Sequence, residues 1–135
     1  MLFRLPLKYK INDVKLWLPP EHLLPFYQAK FPLYDRFLPF LAYELPAKSI
    51  VIDVGANVGD TSVPLFYANP SLIFMCIEPD DYYFKFLCKN TANKGGSFVL
   101  RKSLIGTKSE SFTLKGGGVQ KLPSQMWKEA CDMKA

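Results

Sequence analysis

Two glycines four residues apart follow an apolar run that ends in a carboxylate, in the string VIDVGANVGD over residues 51–60. Gly55 permits a turn off a strand, because glycine adopts positive backbone φ angles without steric penalty. Gly59 lets the next helix begin close to the strand and to a ligand. The N-terminus of that helix adds N–H groups that have no partner within the helix. These residues predict a ligand-binding turn at the end of a strand.

A second carboxylate, Glu78, closes the next predicted strand of the chain. In an open parallel sheet, ligands bind beyond the carboxyl ends of the strands. A carboxylate at that position can accept two hydrogen bonds from a ribose 2′,3′-diol. Together with the glycine turn, Glu78 predicts a site for a nucleoside.

The spacing of the glycines bears on which nucleoside binds. A dinucleotide site uses G-x-G-x-x-G, whose middle glycine lets the backbone approach a pyrophosphate. Here the string is G-A-N-V-G, and Asn57 stands where that glycine would be. Asp53 immediately before the turn would repel a diphosphate but suits a cationic ammonium or sulfonium. The spacing therefore favours S-adenosylmethionine (SAM) over NAD, and an NAD-dependent oxidoreductase is the third-ranked alternative.

The elements that must position these residues alternate between strand and helix. Apolar runs at 49–54 and 72–77 predict buried strands, and residues 97–106 predict a third strand. Helices are predicted between them, over 61–69 and from an Asp80 N-cap to about Asn93. This βαβαβ order implies a parallel sheet with right-handed crossovers and flanking helices.

The sequence divides into three predicted regions. Residues 1–45 form a lead-in, with a short hairpin or a strand with a turn over 9–18, and with helices broken by prolines, of which the best is at 33–45. Residues 46–115 form a SAM-binding Rossmann-like half, in which 110–115 could add a strand. Residues 116–135 are predicted to be an irregular tail with weak helical character at 126–131.

Composition narrows the possible partners. The net charge is +5, divided as −2 over residues 1–84 and +7 over residues 85–135. We interpret the basic half as a solvated face, and without interleaved aromatics it predicts no nucleic-acid partner. No apolar run is long enough for a membrane span and no signal peptide is recognised, so the expected location is cytoplasmic. Three cysteines and one histidine predict reduced thiols and no metal site.

Two strings resemble a known family. VIDVGANVGDTS followed by CIEPDDYYFKFLCKN looks like the first two motifs of FkbM-type SAM-dependent methyltransferases, and the resemblance covers about residues 33–115. It implies an α/β, Rossmann-like class I methyltransferase fold. It also implies that the methionine end and the turn are held by Asp53, Gly55, Asn57 and Gly59. It further implies that Glu78 holds the ribose and that Pro79 and Asp80 border the adenine pocket. Ser103 and Leu104 are implied to face the adenine.

The resemblance further implies methyl transfer to a hydroxyl on a sugar, glycolipid or secondary metabolite. Members of the family typically carry an Asp-x-Glu-Gly-x-Glu string in a later part of the domain, and this sequence has none. We therefore expect an incomplete sheet of about three to four strands, which a partner chain or an oligomer could complete. The alternative is a non-catalytic remnant that binds SAM. The general base stays unidentified: His22 is a weak candidate, and Asp60 is expected to cap the following helix.

Overall fold

The computed structural model describes residues 5–106, 111–114 and 118–121, and the first element is a β-hairpin. β1 (Leu7–Ile11) pairs antiparallel with β2 (Val14–Leu18). The turn between them contains Asn12, whose φ of +50° is tolerated by asparagine better than by most residues. Alternate side chains point into the protein, so that Ile11 and Leu16 are buried in a core cluster. The hairpin predicted over 9–18 is confirmed and starts two residues earlier.

Two short helices follow, α1 (Leu24–Lys30) and α2 (Leu38–Tyr43). The helix predicted over 33–45 is too long at both ends. Residues 31–37 are turns and bends, and Asp35 has a left-handed φ of +56° that cannot lie inside a right-handed helix. Pro39 sits in the first turn of α2, where its missing N–H leaves no bond unmade, and so it does not kink the helix.

A three-stranded parallel sheet forms the centre of the chain, with strand order β3-β4-β5. The helices alternate with the strands, which confirms the predicted α/β class. The elements are β3 (Ile50–Val54), α3 (Ser62–Ala68), β4 (Ile73–Ile77), α4 (Asp81–Thr91) and β5 (Phe98–Arg101).

One face of this sheet carries the main core. Val51, Phe74 and Phe98 lie side by side across the three strands, and the Phe74 and Phe98 rings stack with centroids 4.9 Å apart. Side chains of α2, α3 and α4 pack on this face, among them Ala42 and Leu87, which are both fully buried. The helices therefore hold the sheet from one side.

The opposite face of the sheet is only partly covered. Met75 and Ile77 on the central strand are buried, with Ile105 packed against them. On β3, however, Ile52 is 42% exposed and Val54 is 59% exposed. The strand at 49–54 was predicted to be buried, and this prediction is wrong for one of its faces. Within the described residues β3 is an edge strand. The helices that pack on the sheet lie against the opposite face, which carries Val51, Phe74 and Phe98.

The remaining elements depart from the prediction mainly in their ends. α4 ends at Thr91 rather than near Asn93, and β5 stops at Arg101. β6 (Ser111–Leu114) matches the strand predicted at 110–115, and it pairs antiparallel with β7 (Gly118–Lys121). β7 lies in the segment predicted to be irregular, whereas the helical character at 126–131 falls outside the described residues. Across the described ranges, every helix is too short or too polar to cross a bilayer.

Asn90 connects the hairpin, the glycine turn and α4. The side chain is 5% exposed. Its oxygen accepts a hydrogen bond from the Trp17 backbone N–H at 2.8 Å, and its amide nitrogen donates to the Trp17 carbonyl at 2.9 Å and the Val58 carbonyl at 2.8 Å. One amide thereby satisfies backbone groups from two segments far apart in sequence.

We expect Asn90→Ala to lower the free energy of unfolding by about 3 kcal/mol, because it leaves three backbone groups without their partner. Asn90→Asp should destabilise at least as much, since a carboxylate cannot donate to the two carbonyls. The measurement is urea denaturation followed by circular dichroism. The control is Cys88→Ala at an exposed position on the same helix, which should change stability by less than about 0.5 kcal/mol. Equal losses in Asn90→Ala and the control would contradict this role.

Candidate cofactor-binding site

The glycine turn is fixed to the end of the central strand. Gly55 has φ +78°, and the backbone N–H groups of Gly55 and Ala56 both donate to the carbonyl of Ile77, at 2.8 and 3.0 Å. A Cβ added to Gly55 would meet nothing within 4 Å. Glycine is thus required here for the backbone angle, and the space beside it is open to a ligand.

Gly59 serves a different purpose, which is close packing. Its φ is +84°, and an added Cβ would lie 3.1 Å from Leu87 Cδ1 and 3.2 Å from Val63 Cγ2. The start of α3 therefore approaches α4 as closely as a glycine allows. The prediction gave Gly59 a place near the strand and the ligand, and the structure adds that its immediate neighbours are helical side chains.

Glu78 joins the two sequence motifs. It is 6% exposed, and each of its carboxylate oxygens accepts a backbone hydrogen bond. Oε2 accepts from the Asn57 N–H at 2.8 Å, and Oε1 accepts from the Asp80 N–H at 2.9 Å. A carboxylate offers about four acceptor sites, so two remain for the hydroxyls of a ribose. Glu78 is therefore oriented before any ligand arrives.

Two sets of predicted adenine-site residues lie near Glu78: Asp80, which caps α4, and Ser103 with Leu104, which follow β5. Asp80 is the N-cap of α4, as predicted, and accepts from the Tyr82 N–H at 2.8 Å. Ser103 and Leu104 follow β5, so they lie at the same edge of the parallel sheet. Ser103 is buried and donates to the Leu104 carbonyl at 3.2 Å, and Leu104 is partly exposed. That Pro79, Asp80, Ser103 and Leu104 surround an adenine stays a prediction.

Carboxylates gather on the other side of the turn. Asp53, at the end of β3, accepts a hydrogen bond from the hydroxyl of Ser62, a side chain that is fully buried. Burial raises the pKa of Asp53 above its ordinary value, and the Ser62 bond opposes that rise. The pKa of Asp35 is also raised, by burial and by the charge of Asp53. A cation placed here would meet several negative groups.

Asp60 is the most perturbed of these carboxylates. Burial raises its pKa to about 7, and the charges of Asp35, Asp53 and Glu78 add to the rise. The expectation that Asp60 caps α3 is wrong, because the N-cap residue is Thr61 and no side chain caps this helix end. Asp35 was missed, since it lies in a turn whose sequence gives no sign of which strand end it approaches.

His22 positions Asn57 and is unsuited to act as a base. The backbone N–H of Leu24 donates to His22 Nδ1 at 3.2 Å, so the proton of the neutral ring is on Nε2. Nε2 lies 3.1 Å from the Asn57 side-chain oxygen, to which it donates. Burial lowers the pKa of His22, which favours this neutral form. With both nitrogens engaged, the ring has no free acceptor for a substrate proton.

A cavity of about 370 Å³ opens beside these groups. It lies between the segment before α1 and the glycine turn, and its walls are both aromatic and acidic. Its polar and aromatic lining consists of Glu21, His22, Tyr27, Tyr34, Asn57, Asp60 and Tyr83. Among the described residues, no group of three His, Cys, Asp or Glu side chains is arranged to hold a metal ion.

Known proteins resemble this chain in fold. No family model matches the sequence, and no curated protein matches it. Solved structures do match the fold. TYW2 from M. jannaschii in complex with AdoMet, another name for SAM, superposes with a TM-score of 0.57 at 14% identity, covering 71% of this chain and 42% of that one. The likeness is one of fold, and it is to a protein solved with SAM bound.

Two further structures support this fold. P. horikoshii TYW2 in complex with MeSAdo gives a TM-score of 0.55 at 19% identity, covering 73% of this chain and 36% of the other. The Pyrococcus abyssi tRNA (uracil-54, C5)-methyltransferase with S-adenosyl-L-homocysteine gives 0.53 at 12%, covering 81% and 26%. The chain thus spans less than half the length of each of these three proteins. At identities this low, the superpositions show the fold alone. The FkbM resemblance stays a prediction.

The two glycines allow a matched test of strain against crowding. Gly55→Ala and Gly59→Ala both place a side chain at positive φ, which costs about 1–2 kcal/mol. Gly59→Ala also crowds Leu87 and Val63, so we expect it to lose about 1–3 kcal/mol more. Urea denaturation of the two variants measures the difference. Equal losses would show that the packing around Gly59 can relax.

The high pKa of Asp60 predicts how stability depends on pH. The unfolded carboxyl ionises near its ordinary value of 3.8 and the folded one at about 7. Between these values only the folded chain holds this proton, so raising the pH through the window lowers the contribution of Asp60 to stability. Above about pH 7 both forms are ionised and the loss is complete.

Asp60→Asn removes this effect. The melting temperature of Asp60→Asn minus that of the unmodified chain should increase as the pH is raised from about 4 to about 7. Above that pH the difference should stay constant. Asp13→Asn, at a side chain that is 99% exposed, controls for the loss of one negative charge. A difference between Asp60→Asn and the unmodified chain that does not change with pH would refute the raised pKa.

Proposed function

We propose that this chain binds SAM at the glycine turn and serves in SAM-dependent methyl transfer. The observation that carries the proposal is the orientation of Glu78. Its carboxylate is buried at the carboxyl edge of the sheet, held by the N–H groups of Asn57 and Asp80. It faces the turn where Gly55 leaves open space. This is the arrangement that a ribose diol needs.

The charge around the turn favours SAM over a dinucleotide. Asp53 and Asp60 lie on the same side of the turn, and burial is the main cause of the raised pKa of each. A pyrophosphate would add further negative charge, whereas an ammonium or sulfonium would stabilise the ionised carboxylates. An NAD-dependent oxidoreductase is therefore the weaker candidate.

The proposed residue roles follow the edge of the sheet. The methionine end and the turn are held by Asp53, Gly55, Asn57 and Gly59. The ribose is held by Glu78, and the adenine is bordered by Pro79, Asp80, Ser103 and Leu104. The structural neighbours with AdoMet, MeSAdo or S-adenosyl-L-homocysteine bound support a ligand of this class.

SAM supplies a methyl group on a sulfonium centre, which a nucleophile can attack in line. The residues described here bind and orient, and such positioning provides much of the rate enhancement in a transfer of this kind. The finer proposal rests on the FkbM-like strings and gives the acceptor as a hydroxyl on a sugar, glycolipid or secondary metabolite. The proton of that hydroxyl requires a base, and His22 does not fit this role because both its ring nitrogens are engaged.

A second candidate is a SAM-binding chain without activity of its own. One observation favours it: Ile52 and Val54 are exposed on the sheet. Both candidates require the same cofactor site. They are separated by whether methyl transfer occurs once binding has been established.

Calorimetric titration with S-adenosylhomocysteine tests the shared site, with NADH as the competing ligand. We expect saturable binding of the first alone. 5′-Methylthioadenosine, which lacks the amino-acid part, should bind more weakly because it forgoes the carboxylates at Asp53 and Asp60. Binding of NADH alone would transfer the assignment to the oxidoreductase.

Glu78→Gln tests the ribose contact while keeping the size of the side chain. It removes a charged acceptor, and hydrogen bonds to charged groups contribute about 1.5–3 kcal/mol, so we expect affinity for S-adenosylhomocysteine to fall by about tenfold or more. Glu44→Gln, at an exposed position, is the control and should bind normally. Circular dichroism establishes that both variants are folded. Unchanged affinity in folded Glu78→Gln would remove Glu78 from the site.

A further inference from the structure

The outward side of the hairpin and the neighbouring side of α4 form one basic surface. Lys8 is the Cα partner of Trp17, and Lys10 is the partner of Lys15, so these side chains share one side of the hairpin. The Nζ atoms of Lys89 and Lys8 lie 3.7 and 4.7 Å from the centroid of the Trp17 ring. We define the lysine face as Lys8, Lys10, Lys15, Trp17, Lys85 and Lys89.

The lysine face places like charges next to one another. Lys10 and Lys15 are directly opposite on paired strands, an arrangement that destabilises a hairpin. Lys85 and Lys89 are four residues apart on α4, which destabilises a helix in the same way. Such charges do not serve the fold, which points to a role in binding.

Nearby acids compensate for only part of this charge. Lys10 pairs with Asp13 at 2.9 Å, which offsets one of the five lysine charges of the face. Asp81 lies one helical turn before Lys85, and it already pairs with Lys102 at 2.6 Å. A net positive potential therefore remains over the lysine face.

We propose that the lysine face binds the phosphodiester backbone of a nucleic acid. Lys8 and Lys10 alternate along β1 at roughly 7 Å, and Lys85 and Lys89 are spaced by roughly 6 Å along α4. Successive phosphates of a nucleic-acid strand are separated by distances of this size. Lysine ammonium groups contact phosphates as point charges without requiring a base sequence.

A membrane surface fits the lysine face less well. Peripheral binding to a bilayer combines basic residues with apolar side chains that insert beside them. Strand alternation puts Leu7 on the opposite side of the hairpin from Lys8, and Ile11 is buried in the core. The one large apolar side chain on the lysine face is Trp17, which is half-buried and has Lys8 and Lys89 over its ring, so it is not free to insert into lipid.

The lysine face is also joined to the glycine turn. Asn90 binds the backbone of Trp17 and the carbonyl of Val58, which lies between Asn57 and Gly59. A bound nucleic acid would thus rest on the same support as the candidate cofactor site. The inference itself depends on the charges and holds whether or not methyl transfer occurs.

The test is fluorescence anisotropy of the full chain with labelled duplex RNA and duplex DNA. Sedimentation with vesicles that contain phosphatidylserine forms the third arm. Substituting glutamine for all four of Lys10, Lys15, Lys85 and Lys89 should lower nucleic-acid affinity at least about tenfold at low salt. It should also reduce the slope of log affinity against log salt by about three to four. The control is Lys30→Gln with Lys48→Gln, at exposed positions outside the lysine face, and it is compared with Lys85→Gln with Lys89→Gln, which removes the same number of charges from the face.

Three results would overturn the proposal: no binding of either nucleic acid, an equal loss in the control, or binding of vesicles alone. Lys15→Gln removes a like-charge contact, so its melting temperature should not fall, and this separates lost binding from lost folding. Affinity for S-adenosylhomocysteine should be unchanged in the four-lysine variant. A failure here is therefore distinguishable from a failure of the proposed cofactor site.

Discussion

The architecture depends on one buried amide. Asn90 offers an acceptor and two donor hydrogens, and all of them are used on backbone groups of Trp17 and Val58. These residues lie in the hairpin and in the glycine turn, so Asn90 fixes both against α4. A buried amide with all its partners permits a single arrangement, since any displacement leaves polar groups without bonds. The hairpin therefore supports the site. The hydrogen bond between His22 and Asn57 adds a second link to the glycine turn.

The charges of the chain are separated in space. Carboxylates gather beside the glycine turn, where burial raises the pKa of Asp60 to about 7. Lysines gather on the outside of the hairpin and of α4. Each group of like charges opposes folding, and the apolar core on one face of the sheet offsets that effect. The molecule therefore has an acidic side and a basic side, which the formal net charge of +5 does not reveal.

What could be predicted from the sequence was local. The glycine turn, the Asp80 cap and the βαβαβ order each follow from residues close together in the chain, and the structure contains all three. Errors arose where distant contacts decide the outcome. A left-handed Asp35 prevents the helix predicted from residue 33 from starting before Leu38, and the same residue approaches the site from a turn. The lysine face was missed because its two halves lie about 70 residues apart, so counting charge along the chain could not join them. The exposure of Ile52 and Val54 likewise depends on which elements cover the sheet, and periodicity within a strand contains no such information.

The partly covered face of the sheet has a thermodynamic consequence. The heat capacity of unfolding rises with the apolar area that the chain exposes to water, and ordinary domains give about 12–15 cal/mol/K per residue. Ile52 and Val54 already face solvent in the folded state, so unfolding adds less apolar area than a fully enclosed sheet would. The heat capacity increment per residue should then lie below this range. A smaller increment flattens the curve of stability against temperature, and the fold would lose little stability on cooling.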